Sequence, residues 1–351
     1  MERLPLTAQA VYSELLASLL DAERDPWGFG GTLVRLEVKG RAYWYHQTRA
    51  GGRVHKRMLG RDSETMRQDV AAHRDALEAS RVRAKARRTL VRQLRAAGYP
   101  VLDPLSGRVL AALAVAGAFR MPAVLIGTHA FRSYAAMLGT RLPAAAAMTS
   151  DIDLAQDPVL SVAVAPEARI RPGFEALLRG VDRAFEPVHG FERPPVPTRW
   201  RLTGQPLSVE LLTSNTGPES HAPVFLPALG GHATPLRFLD YLLVDPEPVA
   251  LLRETGLLAR VPAPGRFALH KLLVAQRRSG ADTAKRQKDL SQAEALLRIL
   301  LHDQPEDTMD LWDELLARGP KWRRLAMQSL ARLDPSVAAP FVTRTHGSST
   351  V

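Results

Sequence analysis

MTSDIDLA, residues 148–155, sets two aspartates two positions apart inside an apolar run. Strand alternation places Asp151 and Asp153 on one face and Ile152 on the other. A buried or half-buried strand gains nothing from two acids on the same side. Close carboxylates repel and raise one another's pKa. A divalent cation removes that conflict, and Mg²⁺ favours carboxylate oxygens together with phosphate and water. Without a cation, the pair reads as strand-end or turn acids facing water.

The flanking segments extend an α/β pattern in both directions. Upstream, AVLIG (123–127) is a short buried strand, and Thr128 opens a helix, THAFRSYAAML (128–138), with Phe131, Tyr134, Ala135 and Leu138 on one side. Gly127 permits close approach of backbone or phosphate. Thr at a helix start can cap it, and the free N–H groups there attract an anion. His129, next along, reads more readily as structural than as a phosphate contact. Downstream, LSVAVA (160–165) extends the sheet or leads into a helix, and PEARIRPGFEALLRGV (166–181) reads as helical. TRWRLTG (198–204) and PLSVELLTS (206–214) form a hairpin. Its second strand carries Glu210 between Val209 and Leu211, a lone acid that needs a partner. That partner is either a cation shared with the aspartates, or Arg199 or Arg201 across the hairpin.

From about Pro262 the pattern turns helical, through GRFALHKLLVAQRR (265–278), AKRQKDLSQAEALLRILLHD (284–303) and MDLWDELLARGPKWRRLAMQSLARL (309–333). The tail TRTHGSSTV (343–351) reads as frayed. At the other end, residues 4–22 are expected to be helical, with RDPWGFGG (24–31) breaking the helix. TLVRLEVKG, RAYWYHQTR and RVHKRMLG then make a small antiparallel sheet. Residues 62–97 follow as a long basic helix or helix pair, with an Asp/Ser cap and Gly98 at its end.

The net charge of +11 is concentrated in one place. Residues 31–100 hold 17 Lys and Arg against 6 Asp and Glu, leaving 30 of each sign elsewhere. A compact basic patch attracts polyanions, nucleic acid above all, through counterion release. The sheet carries Tyr43, Trp44 and Tyr45 interleaved with Arg41, Arg49, Arg53, Lys56 and Arg57. That set suits stacking on bases and binding phosphates, and it equally suits cross-strand packing of a thin sheet.

Other chemistries find little support. With no cysteine there is no disulfide, thiolate zinc site or cysteine nucleophile. The longest apolar run, VLAALAVAGAF (109–119), is 11 residues, too short for a bilayer, so no membrane partner is expected. The amino terminus reads as an amphipathic helix and not a secretory signal, so the expected location is the cytoplasm. GxxxxGK[ST], HExxH and GxSxG are absent, and GFGG (28–31) lacks the context of a dinucleotide fingerprint.

A Gly-Thr helix start, a DxD strand and a later strand acid together resemble the nucleotidyltransferase superfamily with the polymerase-beta-like fold. The helices RFALHKLLVAQRR and AKRQKDLSQAEALL resemble those of its AbiEii-type, toxin-like branch. The amino-terminal GRAYWY…GG…LG sheet is similar to that of a little-characterised bacterial nucleotidyltransferase-fold family. The resemblance covers about residues 120–300. It implies that Gly127 and Thr128 hold the phosphates of an NTP, and that Asp151, Asp153 and Glu210 ligate two Mg²⁺ (or Mn²⁺) ions. Lys271 would reach the phosphates, with Asp289 as its companion further on. Lys288 stands where that branch often has Arg. Thr128 replaces the commoner Ser, and Glu210 the commoner Asp.

The expected fold is α/β (α+β), a nucleotidyltransferase-fold mixed sheet flanked by helices. Three regions follow: basic helix, sheet and long helix over 1–100, a catalytic domain over 101–260, and a helical domain over 261–351. The implied activity is metal-dependent transfer of a nucleoside monophosphate from an NTP to an acceptor hydroxyl. RNA, tRNA in particular, is the favoured acceptor through region 31–100. A protein acceptor, a partner antitoxin, and a non-catalytic nucleic-acid-binding role on the same fold are the alternatives.

Overall fold

Leu6–Glu23 forms α1, which starts after Pro5 and buries Ala8, Tyr12, Leu15 and Leu19. Those positions recur every three or four residues, the spacing of one helical face. The computed structural model describes residues 2–24, 32–50, 53–143, 151–171, 173–188, 196–278 and 282–347. The GFGG stretch, residues 148–150, the tail beyond 347, and the side chains of Arg49 and Arg53 lie outside that description.

The basic segment folds as its alternation suggests. β1 (Thr32–Val38), β2 (Arg41–Ala50) and β3 (Arg53–Arg61) form an antiparallel sheet in that order. Lys39 and Gly40, both at positive φ, turn the chain between β1 and β2. α2 is a single helix, Glu64–Ala96, about 50 Å long at ~1.5 Å per residue. The Ser63 hydroxyl caps it by accepting the Met66 N–H, and Gly98 at φ +82° follows its end. Val70 packs with Leu33 and Trp44 in a small core of its own, while Val91 and Leu94 join α1 in the main core.

Trp44 does not present a face for stacking on a base. It is buried, its indole N–H donates to Asp62 at 3.0 Å, and Arg74 lies over its ring. Asp62 also accepts from Arg35 and Arg67, so this aromatic locks the sheet to α2. The packing alternative therefore holds for Trp44. Tyr43 and Tyr45 are half-buried.

The main sheet is assembled from the middle of the chain. Asp103 caps α3 (Pro104–Val115), and β4 (Ala123–Ile126), α4 (Gly127–Met137) and β5 (Asp151–Gln156) follow. Next come α5 (Pro158–Ala163), α6 (Phe174–Val181), β6 (Phe185–Val188), β7 (Arg199–Leu202) and β8 (Leu207–Ser214). β9 (Val224–Leu226), β10 (Gly231–Leu236) and α7 (Leu239–Leu242) lead to a hairpin of β11 (Glu247–Leu251) and β12 (Leu257–Val261). The sheet is mixed and seven-stranded, in the order β4-β5-β8-β10-β9, with β7 on β8 and β6 on β7. β5 runs parallel to β8 and antiparallel to β4.

Two segments differ from expectation. Residues 160–165 lie mostly in α5 and do not extend the sheet, because Asp157 accepts the Val159 and Leu160 N–H groups and starts a helix there. The helix expected over 166–181 is a 3₁₀ turn at Pro166–Ala168 followed by α6, with Gly173 at φ +135° between them.

The chain ends in α8 (Pro264–Ala275), α9 (Thr283–Asp303), α10 (Pro305–Ala317), α11 (Pro320–Leu330) and α12 (Pro335–Gly347). Proline opens all but α9, where its missing N–H costs no helix bond. α12 continues through residues expected to fray. Phe341 packs on Trp312, and the Trp312 indole N–H donates to the buried Thr345 hydroxyl at 3.1 Å. One apolar core runs from Leu4 to Phe341. The architecture is thus the expected mixed α/β sheet flanked by helices, with an amino-terminal antiparallel sheet and helix and a carboxy-terminal helical region.

Candidate active site

β4 is buried along its whole length and delivers Gly127 to the open end of the sheet. Gly127 sits at φ +67°, and a Cβ there would fall 2.2 Å from Asp153 Oδ2. Only glycine fits between the start of α4 and the acid. Ile126 is the cap residue of α4, and no side chain caps the helix. Thr128 is therefore inside the first turn and is not the cap. The start of the helix, without a side-chain cap, borders the cleft at Gly127 and Thr128.

On β5 the alternation reads as its sequence suggests: Ile152 and Leu154 are buried, Asp151 is exposed and Asp153 half-buried. The parallel register with β8 sets Asp153 opposite Glu210 and Asp151 opposite Ser208. The Ser208 hydroxyl donates to Asp151 Oδ1 at 2.6 Å. Across the antiparallel pair of β7 and β8, Arg199 lies opposite Glu210. Its Nε donates to Glu210 Oε2 at 3.0 Å, and its Nη2 reaches the same oxygen. The cross-hairpin partner considered for Glu210 is thus present, within the same cluster as the aspartates.

α8 and α9 form the facing wall. Lys271 Nζ lies 2.5 Å from Asp289 Oδ1, and Arg278 Nε lies 3.0 Å from Oδ2. Arg286 ties the two helices by donating to the carbonyls of Ala275 and Arg278. The buried Asp289 thereby positions two cations at the cleft. The cleft holds about 510 Å³ and is lined by Gly127, Thr128, Asp151, Asp153, Glu210, Lys271 and Asp289. The seven residues that the resemblance assigned to phosphate and metal therefore border one space.

The electrostatics divide the cleft in two. Burial, then Glu210 and Asp151, push Asp153 up to about 6, against the pull of Lys271 and Arg199. Burial also pushes Asp289 upward, but Lys271 and Arg278 more than offset it and hold the acid below the usual range. Burial and Lys271 lower Lys288, with Asp289, Asp151 and Asp153 opposing. His270 is driven down to about 3, first by burial and then by Lys271, and stays neutral. His129 is likewise neutral, held near 4 by burial and Arg132. It is buried and does not border the cleft, as the structural reading of that residue requires.

Sequence reasoning passed over Ser208, Lys285 and His270. Ser208 stands two before Glu210 on one strand face, so alternation could have found it. Lys285 and Lys288 are three apart on α9, the spacing of helical neighbours. His270 had no local signal, because its place depends on how α8 packs. Arg277, also in the cleft, pairs with Glu219 at 2.6 Å.

Among the described residues, no group of three or more His, Cys, Asp or Glu side chains has the arrangement of a formed metal centre. Glu210 is engaged by Arg199. The donor set nevertheless suits a hard divalent cation: carboxylates crowded on adjacent strands, with Asp153 raised by burial and then by its acidic neighbours.

Comparison with curated proteins gave no match, and comparison with solved structures gave none. A family model described as a nucleotidyltransferase matches residues 105–317, well over half of the chain. The match contains every residue placed around the cleft and leaves out the basic sheet and α2. On that match the chain belongs to the nucleotidyltransferase family, within the polymerase-beta-like superfamily.

Proposed function

We propose that the protein transfers a nucleoside monophosphate from an NTP to an acceptor hydroxyl and releases pyrophosphate. The observation that supports this best is the convergence of Gly127, Asp151, Asp153, Glu210, Lys271 and Asp289 on one cleft. The open first turn of α4, at Gly127 and Thr128, holds phosphate oxygens through backbone N–H groups. Lys271, oriented by Asp289, and Arg278 beside it neutralise the phosphate chain and the leaving pyrophosphate. Asp151, Asp153 and Glu210 hold Mg²⁺ or Mn²⁺. Such cations, when bound, activate the attacking hydroxyl and stabilise charge on the leaving group. Glu210 joins that set when Arg199, whose side chain is half exposed, leaves it. The acid cluster takes up the proton of the attacking hydroxyl.

The acceptor in this reading is RNA, with tRNA favoured. Arg81, Arg88, Arg92 and Arg95 are exposed on α2, and Arg41, Lys56 and Arg57 on the sheet. Residues 1–100 recruit the acceptor, 101–260 carry the acids, and 261–351 supply the phosphate-facing cations. A toxin-like role with a cognate antitoxin, and a cytoplasmic location, belong to the same proposal. Among the described residues, no helix is long and apolar enough to cross a membrane.

The test is incubation with each labelled NTP, Mg²⁺ or Mn²⁺ and a cell extract, followed by separate RNase and protease digestion. RNase-sensitive label that is lost in Asp153→Asn supports the reading. Protease-sensitive label moves the acceptor to protein. Absence of label with all four NTPs favours a non-catalytic nucleic-acid-binding role.

A further inference from the structure

A second cavity, of about 240 Å³, opens between α1, α2, α3 and the turn ahead of β12. It shares no lining residue with the catalytic cleft. Leu19, Ala114, Val115, Phe119 and Leu257 give it apolar walls. Arg83 and Arg87, one helical turn apart on α2, face the same space.

Arg87 is only 8% exposed, and among the described residues its Nε has no hydrogen-bond partner. Its Nη1 makes a long contact of 3.4 Å with the Ser18 hydroxyl. The two acids of the lining are already paired, Glu23 with Arg260 at 3.3 Å and Glu254 with Arg253, itself in the lining, at 3.0 Å. A buried guanidinium without an anion is costly, and a like charge one turn away adds to the cost. Burial and Arg83 both push Arg87 downward, as expected for a cation lacking its counter-ion. The planar fork of arginine matches a carboxylate or a phosphate.

We propose that this cavity binds a small organic anion. Its carboxylate or phosphomonoester head lies on Arg83 and Arg87, and its apolar body against Leu19, Ala114, Phe119 and Leu257. The space, about 240 Å³, lies below the ~300–1,000 Å³ of sites for drug-sized ligands, so a small body on the order of one ring suits it. A ligand here bridges the basic helix α2 to α1 and α3, and so joins the acceptor-recruiting region to the sheet.

The test uses the full chain with phenyl phosphate and phenylacetate as the two anionic probes. Inorganic phosphate and benzyl alcohol serve as the half-probes. Methyl NMR reads Leu19, Val115 and Leu257 at the cavity, with Leu212 and Val274 reporting the catalytic cleft. At least one anionic probe should move the cavity methyls saturably and bind about tenfold or more tighter than either half-probe. Which anion binds identifies the head group. Arg83→Ala, at an exposed position, and Arg87→Met should each weaken binding by about tenfold or more. Ala114→Leu should abolish it by filling the space without changing charge. The proposal is overturned if neither probe moves the cavity methyls, if only the cleft methyls move, or if Arg83→Ala and Ala114→Leu bind as well as the wild type.

Discussion

Replacing Asp153 by Asn should stabilise the protein at alkaline pH while removing its activity. Asp153 is lifted to about 6 by burial and by Glu210 and Asp151. The folded state thus holds this proton more tightly than the unfolded chain, where an aspartate titrates near ~3.9. The contribution of this group to stability is therefore greatest below about pH 4, falls as pH rises toward 6, and then levels off. A gap of about two in pKa corresponds to about 3 kcal/mol. Solvent at the half-buried site and relaxation of Arg199 reduce this, so about 1–3 kcal/mol is expected. Asn keeps the shape without the charge. Asp153→Asn should melt about 1–4 °C above wild type at pH 8 and match it at pH ~3. Calorimetry and urea unfolding across that range check this, and saturating Mg²⁺ should stabilise only the wild type. A variant less stable than wild type at pH 8, or a difference independent of pH, would refute the crowding of acids at this site.

Three further perturbations separate the parts of the site. Arg199→Ala removes the internal counter-ion of Glu210, so Mn²⁺ should bind several-fold more tightly without NTP by electron paramagnetic resonance; weaker binding counts against competition between Arg199 and a cation. Gly127→Ala places a methyl against Asp153 and forces a positive φ, for a loss of about 2 kcal/mol or more in urea unfolding; a loss under about 0.5 kcal/mol would mean the close approach is absent. Replacing Arg81, Arg88 and Arg92 together by Ala should weaken RNA binding and lower its salt slope by about 2, whereas Trp44→Phe should leave both unchanged in a filter-binding assay.

Much of the site was legible because strands and helix starts carry their signals locally. Two acids separated by Ile152 announce one strand face, and Gly127 before Thr128 announces a chain that must pass something closely. Glu210 stood out as an acid between Val209 and Leu211. Its pairing with Arg199 was open from the sequence, because hairpin register decides which arginine lies opposite. The aromatic run at 43–45 illustrates the limit most clearly. Trp44 looked suited to a base, yet α2 covers it, and that contact joins residues far apart in the chain. Arg87 gave no warning among the many basic residues of α2, since its burial comes from α1 packing across it.

The central claim is that the three strand acids and the Lys271–Asp289 pair hold one metal-bound NTP. Calorimetric titration of each NTP with Mg²⁺ into wild type, Asp151→Asn, Asp153→Asn and Lys271→Met tests it most directly. At least one NTP should bind wild type only when Mg²⁺ is present, and about tenfold or more weakly to each variant. Equal binding to all four proteins, or binding indifferent to Mg²⁺, would contradict it.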